Sequence, residues 1–106
     1  MDQLAISVHV PGDGRVALDL SGVLDIATAS TLRDAIRACL RSFAPTEISV
    51  NLREVAFLDS VGIGALVGGY REARKIGCAF VVREPRPLAH RQLEVTGLLD
   101  LLGASA

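Results

Sequence analysis

The stretch Phe57-Leu58-Asp59-Ser60-Val61-Gly62-Ile63-Gly64-Ala65-Leu66-Val67-Gly68-Gly69 decides how the chain is read. It opens a helix expected over about residues 60–76, closed by Gly77, with Arg74 and Lys75 complementing the negative helix end. Four glycines stand inside that helix. Each costs up to ~1 kcal/mol relative to alanine in a helix interior. Two compatible reasons offset such a cost: close packing of the helix on a sheet, or a surface that another protein's backbone approaches. Asp59 and Ser60 fall where the helix begins, and either can cap it. A hydroxyl there, flanked by small residues, is accessible. Phosphorylating Ser60 would add about −1.5 to −2 charges beside Asp59, which the helix dipole tolerates.

Upstream, Ile48, Val50 and Leu52 alternate with Glu47, Ser49 and Asn51, a strand over 47–52. Before it, residues 28–43 form a helix. Leu32, Ala35, Ile36, Cys39, Leu40 and Phe43 line one face, Arg33, Asp34, Arg37 and Arg41 the other. Thr28 or Ser30 can cap its start, and Pro45 stops it. Residues 3–10 and 15–21 alternate around Pro11-Gly12-Asp13-Gly14, a hairpin signal. Downstream, Cys78 to Val82 reads as a buried strand. Pro85 and Pro87 open a short helix that Gly97 ends, and Leu98, Leu99, Leu101 and Leu102 form a last apolar patch. Gly103 to Ala106 reads as a loose tail. The order is β-β-α-β-α-β-α. Strand–helix–strand crossovers force parallel pairing after the antiparallel hairpin. Strands buried on both faces would read as continuously apolar, whereas the first three alternate. The expected fold is therefore α/β: a mixed sheet with helices mainly on one face.

The 106 residues suit one domain, 1–106, and half of them are hydrophobic, which excludes disorder. Eleven basic against twelve acidic residues argue against phosphate-backbone binding, so no nucleic-acid partner is expected. Phe43, Phe57, Phe80 and Tyr70 are too few for a stacking platform. Cys39 and Cys78 lack CxxC spacing and are expected buried and reduced. No signal peptide and no apolar run of about 18 residues is visible, which points to a cytoplasmic protein with no membrane partner. His9 is read as facing solvent without a partner, and His90 likewise has no assigned role. Gly62-x-Gly64-x-x-x-Gly68 is not a dinucleotide fingerprint, and about eight residues separate it from Leu52, the expected strand end. The P-loop and nucleophile-elbow patterns are absent, and no side chains have metal-ligand spacing. No catalytic residue, cofactor or metal is expected.

Ile48-Ser49-Val50-Asn51-Leu52 followed by Val55-Ala56-Phe57-Leu58-Asp59-Ser60-Val61-Gly62-Ile63-Gly64 resembles the signature of the STAS-domain anti-sigma factor antagonists. Ser21-Gly22-Val23-Leu24-Asp25 before Thr28-Ala29 is similar to the family's Gly-Glu-Leu-Asp segment, and Val95-Thr96-Gly97-Leu98 to its closing Ser/Thr-Gly-Leu. The resemblance implies a bacterial partner-switching regulator, itself no enzyme. Unmodified, it would bind an anti-sigma factor that is also a GHKL-type serine kinase, releasing a sigma factor. The kinase would phosphorylate Ser60 with ATP, and a serine phosphatase would reverse this. Asp25, Asp59, Ser60, Val61, Gly62, Ile63 and Gly64 would form the partner surface. Val61 replaces a second hydroxyl and Val23 a common glutamate, which bears on partner choice. Asp25→Ala is expected to weaken partner binding with little change in melting temperature. The alternative is a STAS scaffold subunit of a transport or signalling assembly that does not switch.

Overall fold

The computed structural model describes residues 4–103. The elements are β1 (Leu4–His9), β2 (Arg15–Leu24), α1 (Ala29–Phe43), β3 (Glu47–Leu58), α2 (Ser60–Lys75), β4 (Ala79–Arg83) and α3 (Pro87–Val95). The strands lie in the order β1-β2-β3-β4, the first pair antiparallel and the other two parallel. Both crossovers step the same way across the sheet, so their right-handedness puts α1 and α2 on the same face. Beneath those helices Val16, Leu18, Ile48, Val50, Phe80 and Val82 are buried, in register across three strands, with Leu52 buried beyond them. The opposite face carries the exposed Ser7, Asp19, Ser21 and Arg83. The mixed α/β sheet read from the alternation is the fold observed.

Two strands run further than their alternation. β2 continues to Leu24 and β3 to Leu58, six residues beyond the expected end at Leu52. The pairing explains why. Asp19 faces Asn51 but Ser21 faces Glu54, and Gly22 faces Val55 but Val23 faces Phe57. β3 thus carries one extra residue at each of two bulges. Leu52, Val55 and Leu58 are buried at intervals of three, a spacing that no unbroken strand shows. Gly22, at φ 119°, supplies the backbone conformation β2 needs beside the second bulge.

β4 pairs only with residues 47–51 of β3, leaving the far half of that edge open. α3 closes it. Arg86 Nε donates to the Arg53 carbonyl at 2.8 Å and Gln92 Nε2 to the Leu58 carbonyl at 2.7 Å, while Ala89 and Leu93 are buried. The final turn protects the outer edge of β4: Leu102 is fully buried and its carbonyl accepts from Val82 N. Gly103, assigned to a loose tail from sequence, still belongs to this turn, donating its N–H to the Asp100 carbonyl. Residues 104–106 lie outside those described. Cys39 and Cys78 are free and buried, and burial pushes both thiols up from their ordinary value. His9 is exposed as expected but does have a partner, Asp19 Oδ2 at 3.1 Å; the strand pairing places the two diagonally across the hairpin.

Candidate functional site

The parallel strands β2 and β3 end side by side, Leu24 opposite Leu58. The loop into α1 and the start of α2 therefore emerge together. Asp59 is the N-cap of α2, settling which of the two candidate residues caps it. Its Oδ1 accepts from Gly62 N at 2.8 Å, and its Oδ2 accepts from Ile26 N at 3.2 Å. One carboxylate thus ties the first turn of α2 to the β2–α1 loop. The backbone adds a second tie, Asp59 N to the Leu24 carbonyl at 3.2 Å.

Asp25 organises the loop from its other end. Its Oδ1 accepts from Ala27 N at 2.9 Å and Thr28 N at 3.2 Å. Thr28 stands at the N-cap position of α1, but its hydroxyl gives no cap bond; it donates to the Val23 carbonyl at 2.7 Å. The expected capping by Thr28 or Ser30 is therefore replaced by an Asp25-centred turn. Asp25 has a structural duty that its sequence position did not show.

Ser60, the first residue of α2, is exposed. Asp59 takes the amides of Gly62 and Ile63, the latter through its carbonyl at 2.9 Å. Among the described residues, the amides of Ser60 and Val61 meet no acceptor. Val61 is half-buried beside Ser60, Gly64 is exposed, and Gly62 and Ile63 are turned inward. The glycines divide accordingly. A Cβ at Gly62 would strike the Leu24 carbonyl oxygen, and one at Gly69 would come within 2.7 Å of Ile36 and 2.9 Å of Phe80. A Cβ at Gly64 or Gly68 would meet open space. Close packing thus accounts for two glycines and leaves the other two on the surface.

The outer face of this cluster is Asp25, Ser60, Val61 and Gly64. Two apolar side chains not singled out from sequence flank it. Ile26, next to Asp25 in the loop, is 74% exposed, and Phe57, near the end of β3, is 50% exposed. The readable signal was an isoleucine and a phenylalanine at strand ends, outside any core periodicity. Phe57 also lines a groove of about 240 Å³ between the end of β3 and α3, with Leu88 and Gln92.

Since β3 runs to Leu58, it reaches α2 through Asp59 alone. The separation used against a dinucleotide site does not exist. The glycine spacing still differs from the fingerprint, and Gly62 N, which a phosphate would need, already serves the Asp59 carboxylate. Among the described residues, no three His, Cys, Asp or Glu side chains gather as a metal site would require, and no helix is long and apolar enough to cross a membrane.

Comparison with known proteins gives this arrangement its context. The chain is similar to the anti-sigma-B factor antagonist of Bacillus subtilis, 25% identical over 91 residues that cover 86% of this chain and 82% of that protein. It is 28% identical to the anti-sigma F factor antagonist of Paenibacillus polymyxa over 89 residues, 84% of this chain and 76% of that one. Among solved structures, an anti-sigma factor antagonist from Mycobacterium paratuberculosis aligns with a TM-score of 0.84 at 30% identity, covering 95% of this chain and 84% of its own. Unphosphorylated SpoIIAA shares the fold, with a TM-score of 0.81 at 24% identity over 96% of this chain and 89% of its own. The family model described as "Mlab, STAS domain" matches residues 9–103, from the end of β1 to the turn that closes β4. This chain belongs to the STAS-domain family, the family of the anti-sigma factor antagonists.

Proposed function

We propose that this protein is an anti-sigma factor antagonist switched by phosphorylation of Ser60. Unmodified, it binds an anti-sigma factor with serine-kinase activity and so frees a sigma factor. Phosphorylated, it lets go, and a serine phosphatase resets it. In this reading the chain is a substrate and a binding partner, not a catalyst, and it works in the cytoplasm. The observation that carries the proposal is the division of labour at the start of α2. Asp59 performs the capping and tethering, which leaves the Ser60 hydroxyl exposed and without a structural duty. The names of the relatives support an anti-sigma factor as the target.

The chemistry follows from the geometry. A phosphate on Ser60 would sit at a helix N-terminus where the amides of Ser60 and Val61 lack acceptors, so the fold tolerates it. The same dianion placed in a close interface must be desolvated and adds bulk where Gly64 leaves room for a partner's backbone. The test is incubation with the cognate kinase and ATP, followed by site mapping by mass spectrometry. One phosphate on Ser60, absent from Ser60→Ala, is expected; modification elsewhere overturns the assignment. Absence of any phosphate would favour the second reading, a non-switching STAS scaffold subunit. The name of the matching family model leaves room for that reading, since it is not itself an antagonist's name.

A further inference from the structure

The two helices that cover the sheet are unlike the rest of the chain in charge. α1 and α2 together carry six basic and two acidic side chains, whereas the remainder carries five basic and ten acidic. The excess is shared equally, three basic against one acidic side chain on each helix. Arg33, Arg37 and Arg41 recur every four residues and so stand on one side of the helix. None of the three forms an ion pair among the described residues. They border two adjoining hollows between α1 and α2, of about 100 and 240 Å³, which share Arg37 and Glu72. The floor is low because Gly68 has no side chain, and a Cβ there would meet nothing within 4 Å. Apolar surface continues the groove: Leu40 lies in its wall, and Ile76 at its end is 55% exposed. The near end of the groove, Gly68, is eight residues from Ser60, roughly 12 Å along the helix axis, and the groove runs on from there to Ile76. It thus begins beyond the proposed phosphorylation site and extends away from it.

We infer that the α1–α2 groove is a second docking surface, and that its occupant is an acidic amphipathic helix of a partner protein. Three unpaired guanidiniums spaced by helical turns match carboxylates spaced in the same way, and Leu40 and Ile76 match an apolar stripe beside them. A nucleic-acid backbone fits less well. Its continuous phosphates would meet the Glu72 carboxylate in mid-groove, where a peptide presents a neutral side chain. A flat anionic membrane would not enter a recess between two helices.

The experiment uses the full chain and a fluorescent helical peptide of about four turns, with glutamate at every fourth position beside a leucine stripe. Its glutamine counterpart, phosphatidylserine vesicles and a DNA duplex serve as comparisons. Binding of the glutamate peptide is expected, with amide shifts confined to residues 33–41 and 68–76. Affinity should fall at least about tenfold for the glutamine peptide and for the Arg33→Gln, Arg37→Gln, Arg41→Gln triple variant. Gly68→Leu, whose Cβ would meet open space, should fill the groove and give the same loss while the melting temperature shows it folded. Ser60→Asp should leave peptide binding unchanged, so the result stands apart from the phosphorylation reading. Shifts elsewhere, equal binding by the triple variant, or preference for vesicles or DNA would overturn the inference.

Discussion

Gly62 and Gly64 are two residues apart in α2 and answer to opposite constraints. Gly62 lies against the Leu24 carbonyl, with no room for a methyl group, whereas Gly64 faces open space. Gly62→Ala should therefore destabilise the protein by about 1–3 kcal/mol through overpacking. Gly64→Ala should stabilise it by roughly 0.5–1 kcal/mol through helix propensity. Urea denaturation of the pair measures both, and equal effects would refute the division of the glycines. Asp25 shows where a sequence reading meets its limit. Asp before a helix identifies a polar loop, but not which amides its carboxylate takes. Because Oδ1 holds Ala27 N and Thr28 N, Asp25→Ala should lose about 1 kcal/mol of stability, contrary to the small change expected from sequence. Asp25→Asn keeps the acceptor and should melt near the wild type. Any loss of partner binding in Asp25→Asn then reports on the charge alone.

At the scale of elements, what was legible followed unbroken periodicity. The hairpin, α1 and the first half of β3 announce themselves through alternation or a helical face, and Gly77 and Gly97 end α2 and α3 in the positive-φ conformation their positions suggest. What was not legible is the second half of β3. Two bulges there turn a period of two into a period of three, and Arg53, Glu54, Ala56 and Phe57 look like a loop when read alone. The strand exists because β2 pairs with it on one side and α3 satisfies its carbonyls on the other, both contacts distant in sequence. Gln92 is the element-scale test. Gln92→Ala removes the donor to the part-buried Leu58 carbonyl next to Asp59, and should cost about 1–2 kcal/mol. Hydrogen exchange should quicken at Leu58 to Gly62 more than in β1. An unchanged exchange pattern would mean that α3 does not support the site.

Across the whole molecule, the sheet topology does the positioning. Adjacent parallel strands deliver the Asp25 loop and the Asp59-Ser60 helix start to one end, and right-handed crossovers send α1 and α2 back along one face. The surface proposed to meet the partner is thereby separated from the core that holds the fold. The proposed phosphate on Ser60 would sit at an exposed end and leave Leu24, Leu58 and Leu66 untouched beneath it. Binding and folding should accordingly respond independently to phosphorylation. The most direct measurement compares unmodified and stoichiometrically Ser60-phosphorylated protein in titrations against the cognate anti-sigma factor, with thermal unfolding of each form alone. The account predicts an affinity loss of about 10³-fold or more, the cost of several kcal/mol for desolvating the phosphate in the interface, with nearly coincident melting curves. Equal affinity of the two forms, or an affinity loss that merely tracks unfolding of the phosphoprotein, would contradict it.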